Sequence, residues 1–181
     1  MVAVIVLLCL LIVATITDVA RHTIYNWNTY SGIIAGFVLN ACGLGLIGTG
    51  WEALQESLFG FLALGFIMLF CFVWFDVGGG DVKLIAMTGA FLGFEHQGQY
   101  LGIEAMLWTF VLGAIVGSAI LIWQIGFLTI ISKTFRHLIL MLRAKSWVSL
   151  EQEEREPLKR GLFLAPSSLA AVVIVLKDQL F

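Results

Sequence analysis

Residues 54–83 read LQESLFGFLALGFIMLFCFVWFDVGGGDVK, and this stretch decides the fold. Between Ser57 and Phe75 there is no Asp, Glu, Lys or Arg. A helix of that length and apolarity matches a bilayer core, since about 20 residues at about 1.5 Å of rise each cover about 30 Å. The run stops at Asp76, passes three glycines, and gives way to Asp81, Val82 and Lys83. An acid and a base thus open the next apolar run, a costly arrangement near lipid that asks for a reason.

Outward from there, hydropathy marks six apolar segments: Val2–Thr17, Tyr30–Leu46, Leu54–Phe75, Val82–Phe94, Ala105–Ile131 and Gly161–Leu176. Apolar residues make up 60% of the chain, charged residues 12%, and the mean hydropathy is +1.00. A soluble domain needs about a quarter of its residues charged, so this chain could not clothe itself in water. The expected fold class is all-α: one polytopic membrane bundle over residues 1–181, with about six transmembrane helices and a cytoplasmic amphipathic helix. A net charge of −2 argues against nucleic acid as a partner. Cys9, Cys42 and Cys71 are far apart, form no CxxC pair, and read as small apolar side chains rather than metal ligands. Neither a metal nor a cofactor is expected. The first apolar run lacks a positive flank and a second follows closely, so it reads as a retained span.

The basic residues fix the orientation. With the amino terminus outside and six crossings, the inside loops are Asp18–Thr29, Asp76–Asp81 and Ser132–Arg160. These loops, with Lys83 just beyond the second, hold Arg21, Lys83, Lys133, Arg136, Arg143, Lys145, Arg155, Lys159 and Arg160, leaving Lys177 outside. Glu52, Glu56, Glu95 and Glu104 fall in outer loops. Within the last inner loop, Phe135, Leu138, Ile139 and Leu142 recur at helical spacing among basic residues, as in a helix lying on the inner leaflet. The segment Val82–Phe94 is short for a span. Either it begins below the membrane surface, or it borrows length from Gly78–Asp81.

Asp18 closes the first segment and Asp81 opens the fourth, and the topology puts both at the inner face. Two facing carboxylates are the minimal equipment for aspartic proteolysis: one takes a proton from water, the other polarises the scissile carbonyl. The plain alternative is that each acid only marks a helix end. Gly78, Gly79 and Gly80 offer a tight backbone path and close approach for an extended peptide, or a simple hinge.

The run GGGDVKLIAMTGAFLG, from Gly78, resembles the signature of the prepilin peptidase family, membrane aspartic proteases with a GxGD motif. That family places its first Asp at the end of the first span, before a basic stretch and Ile-Pro-Asn. Here Asp18 is followed by Arg21, His22, Ile24, Tyr25 and Asn26, with Tyr25 standing where the proline is usual. The resemblance covers most of the chain from Asp18 onward, including a final apolar segment with Pro166 near its start. It implies Asp18 and Asp81 as the catalytic pair, cutting the leader from prepilin at the cytoplasmic face of the inner membrane. Gly78, Gly79, Gly80, Lys83, Arg21 and Asn26 would serve substrate binding or support, with Lys83 orienting Asp81, meeting substrate or merely snorkelling. Asn26 is expected to brace the loop after the first span, and Asp76 reads as an interface charge.

Larger bacterial members also methylate the new amino terminus and carry a segment with paired cysteines after the first span. Nothing of that size and no paired cysteines occur here, so a peptidase without methyltransferase activity is expected, similar to tight-adherence (Flp-type) and archaeal preflagellin peptidases. A helix-dipole argument gives Asp81, at a helix amino terminus, the role of base and leaves the proton with Asp18, at a carboxyl end. The rival class is a small transporter or a pilus-assembly scaffold with acids at a helix break. Carrier sites lie near mid-bilayer and often sit between repeated halves; both acids here fall at one edge, and no repeat is evident.

Overall fold

A computed structural model describes residues 2–75, 77–95, 98–125 and 164–177 of the chain. Six helices lie among them: α1 (Val2–Arg21), α2 (Asn26–Ala41), α3 (Gly50–Phe75), α4 (Gly79–Leu92), α5 (Leu101–Ile125) and α6 (Leu164–Val175). Three carry stretches long and apolar enough to cross a membrane, Val2–Arg21, Gly50–Trp74 and Leu101–Ile120. Asp76 and the expected amphipathic helix, with the rest of Ser132–Arg160, lie outside the described residues. The chain divides into two units, one of Met1–Leu112 with Leu164–Phe181 and one of Gly113–Phe163. The first holds every residue discussed below.

Helix α4 is the centre of that unit. Every residue from Leu84 to Leu92 is buried, because α1, α2, α3 and α6 all pack against it. This explains how it can be short. Fourteen residues rise only about 21 Å, and a helix sheathed by other helices need not match the thickness of a bilayer. Of the two expectations for this segment, one is met: the helix borrows length from the glycine stretch, beginning at Gly79.

In lipid, helices gain little by hiding apolar surface from one another, so close packing and hydrogen bonds must hold them. Both are present. Gly60 of α3 and Gly89 of α4 meet backbone to backbone, and a Cβ on either would collide with the other's carbonyl. At the same end, the fully buried Asn40 of α2 donates to the Ala90 carbonyl (3.0 Å), the Phe91 carbonyl (3.2 Å) and Ser57 Oγ (3.3 Å), while accepting from the Leu46 N–H (3.2 Å). The Ser57 hydroxyl donates to the Ala90 carbonyl as well. Thus one amide ties α2, α3 and α4 together. Asn28 does the same for α1 and α2, donating to the Leu10 carbonyl at 3.1 Å.

Leu7, Leu11 and Ala14 of α1 share a core with Leu84, Met87 and Phe91 of α4 and with Ala165, Val172 and Leu176 at the chain's end. A second cluster joins Leu64, Met68, Ile85 and Met106. Outer faces are apolar too: Ile5, Ile16, Ile34, Phe66 and Val73 are each more than half exposed, an arrangement that suits lipid and would be penalised in water.

Candidate active site

Asp18 sits in the last turn of α1, not beyond it. Hydropathy ends the segment at Thr17, but backbone hydrogen bonding ignores side-chain polarity and carries the helix to Arg21. His22 stops it, taking a left-handed φ of 51° while its N–H donates to the Asp18 carbonyl at 2.8 Å. The Asp18 side chain is turned inward and only 8% exposed. Its carboxyl meets the backbone amide of Ala165, in the first turn of α6, and lies within electrostatic reach of His22. Its Oδ2 is buried with no hydrogen-bond partner among the described residues.

Asp81 occupies the first turn of α4. Gly78 caps the helix in an extended conformation (φ −62°, ψ 136°), and its carbonyl accepts the N–H of Asp81 at 3.0 Å. The Asp81 carboxyl folds back over the Gly78 backbone amide, the reach of an acid at the third helical position toward its cap. A Cβ on Gly78 would lie 2.9 Å from Asp81 Oδ2. On Gly80 it would lie 3.1 Å from Ile24 Cβ, whereas on Gly79 its nearest neighbour is a Phe72 ring carbon at 3.9 Å. Two of the three glycines are therefore there for space, and they are the first and third. Close approach at Gly80 also lets the short connection after α1 lie against the start of α4.

The two carboxyls, remote in the chain, are thereby brought within electrostatic reach of each other. Both face the amino-terminal turn of a helix, Asp81 its own and Asp18 that of α6. The macrodipole argument from sequence counted only the helix carrying each acid; the start of α6 beside Asp18 adds a second helix end to its surroundings.

The remaining expected residues form a brace beside the pair. Lys83 Nζ donates to Asn26 Oδ1 at 2.7 Å and lies 5.2 Å from the centre of the Tyr30 ring. Asn26 therefore anchors α2 to α4, in place of bracing its own loop. Arg21 donates to the Tyr25 hydroxyl at 2.7 Å on the exposed side. Tyr25 caps α2 with φ −73° and ψ 133°, angles that a proline also adopts. The aromatic residue at that position thus preserves the turn and adds a partner for Arg21. Three neighbours of the site were not among the expected residues: Ala165, Tyr30 and Ile24. Only Pro166 hinted at the first, since proline favours the opening turn of a helix.

No group of three or more His, Cys, Asp or Glu able to hold a metal ion occurs among the described residues. A comparison with family models matches residues 5–122 to the type IV leader peptidase family. Neither curated proteins nor solved structures return a match. The matched stretch runs from α1 into α5 and takes in both acids together with the glycine turn between α3 and α4. Covering well over half of the 181 residues, it shows that this chain belongs to the type IV leader peptidase family.

Proposed function

We propose that this protein is an aspartic endopeptidase that removes the leader of type IV pilin-like precursors, with Asp18 and Asp81 as its catalytic pair. Family membership supports a leader peptidase and thus a hydrolase. The aspartic chemistry rests on one observation: the acids on α1 and α4 lie within electrostatic reach of each other at one end of the bundle.

In this reading the two carboxyls work with one proton between them, one ionised and one protonated. Water placed between the pair gives a proton to the ionised member as its oxygen attacks the scissile carbonyl carbon. The protonated member donates to the carbonyl oxygen, so no full negative charge develops there. The member that took the proton from water then gives it to the leaving nitrogen, while a hydroxyl of the tetrahedral diol returns its proton to the other member. The C–N bond breaks, the new carboxyl forms, and one proton is again held by the pair. The reaction consumes one water and needs no other co-reactant.

The edge carrying the acids is the cytoplasmic one in this reading. It is where α1 and α3 end and α2 and α4 begin, and it carries the basic residues Arg21 and Lys83. The membrane is the inner one and the amino terminus lies outside. No N-methyltransferase activity is assigned, because neither paired cysteines nor an inserted segment separates α1 from α2.

The test uses the purified protein in detergent with a prepilin-like precursor, following leader removal by mass spectrometry. Asp18→Asn and Asp81→Asn are each expected to slow cleavage by about 10²–10⁴-fold. S-adenosylmethionine in the same assay is expected to leave the new amino terminus unmodified. A folded Asn variant that cleaves at the normal rate rejects the pair.

A further inference from the structure

Beside the catalytic edge, a groove of about 260 Å³ opens on the outer surface between α2, α3 and α4. Its walls are apolar side chains such as Ile33, Phe61, Phe66 and Leu69, its floor includes Gly65 and Ala86, and Lys83 and Tyr30 stand at one end. From Leu69 to Phe61 the groove follows α3 for about 12 Å, at about 1.5 Å per residue. Phe66 and Tyr30 are each more than half exposed, so the groove faces whatever surrounds the bundle.

Lys83 is the feature that apolar packing does not explain. Its ammonium has three donors. Among the described residues its polar partners are Asn26 Oδ1 and the Tyr30 ring face, and neither is a carboxylate. The cation is therefore oriented and has donors to spare, yet no countercharge meets it there. Arg21 adds a second cation at the same edge, joined to Tyr25, the residue next to Asn26.

We propose that this groove binds an anionic phospholipid, its phosphate on Lys83 and an acyl chain lying along α3. Charge complementarity selects the head group, and the walls select the tail. A peptide suits the groove poorly. An extended strand would bury backbone N–H and C=O groups against walls that offer no partners. A basic site at the cytoplasmic ends of spans is a favourable place for an anionic head group.

The experiment reconstitutes the full chain in nanodiscs of phosphatidylcholine alone, or of phosphatidylcholine with phosphatidylglycerol, and reads retained lipid by native mass spectrometry. Wild type is expected to retain phosphatidylglycerol in preference to phosphatidylcholine. Lys83→Gln, which keeps a donor for Asn26 but loses the charge, is expected to cut that preference about fivefold. In Gly65→Leu the new side chain enters the groove, its Cβ meeting only Ala86 Cβ at 3.5 Å, and retention of both lipids should be lost. Equal retention of the two lipids by wild type overturns the proposal, as does an unchanged preference in Lys83→Gln. Should Lys83→Gln fail to fold, Gly65→Leu decides alone, and phosphatidylglycerol held as in wild type rejects the site. Displacement of phosphatidylglycerol by inorganic phosphate would mark a free-anion site and also reject it.

Discussion

At the scale of single residues, the glycine stretch separates what sequence can and cannot tell. Three consecutive glycines before an acid look equivalent on paper. In the structure, Gly78 makes room for the Asp81 carboxyl and Gly80 for Ile24, while a Cβ on Gly79 would meet only a Phe72 ring carbon at ordinary contact distance. Gly79→Ala should therefore keep wild-type cleavage and stabilise α4 slightly, since alanine is the better helix former by up to about 1 kcal/mol. Gly78→Ala and Gly80→Ala should each lower cleavage at least tenfold, because the acid or the connection after α1 must shift. Equal effects at all three positions would remove the steric account. The brace is testable in the same way: a double-mutant cycle of Lys83→Met and Asn26→Ala should give a coupling of about 1 kcal/mol in thermal unfolding. Additive losses would mean that the hydrogen bond contributes nothing. This pairing could not be read from the sequence, which places its two members far apart, whereas each residue alone was visible as a polar side chain at a helix end.

Among the elements, the existence of the helices was legible and their ends were not. Hydropathy breaks at the first charge, so it cut α1 short of Asp18 and began α4 after Asp81, leaving both acids outside helices whose backbone in fact includes them. It also gave no sign that α4 is surrounded. A run such as LIAMTGAFL is equally apolar whether lipid or protein covers it. Burial on all sides becomes visible only in the contacts of Gly89 with Gly60 and of Asn40 with Ala90 and Phe91. Asn40→Ala removes the amide donor from the Phe91 carbonyl, leaves the Ala90 carbonyl to Ser57, takes the acceptor from the Leu46 N–H, and should cost about 2 kcal/mol of stability. The matching readout is a lower unfolding temperature in detergent, with cleavage intact below it, since Asn40 lies at the end of α4 remote from Asp81. A shift worth less than about 0.5 kcal/mol would place the network among ordinary surface contacts.

Across the whole molecule, the bundle works by bringing helix ends to one edge. The carboxyl end of α1 and the amino ends of α4 and α6 converge there, and each contributes to the surroundings of an acid. The part played by α6 had no sequence signal beyond Pro166, because it arises from tertiary packing against α1. Orientation in the bilayer is a further prediction at this scale. In an otherwise cysteine-free chain, a cysteine at the exposed Thr23 should react with an impermeant maleimide in inverted vesicles and stay protected in intact cells. A cysteine at the exposed Gly98 should show the reverse, and the opposite pattern would invert the topology.

The central claim is that Asp18 and Asp81 act as one unit. Its most direct test is the cleavage rate of Asp18→Asn, Asp81→Asn and the double variant, followed by mass spectrometry on protein shown to be folded. Groups that share a single proton fail together, so the double variant should be no slower than the slower of the two singles. Losses that multiply, or one variant that cleaves normally, would show two carboxyls that merely lie near each other.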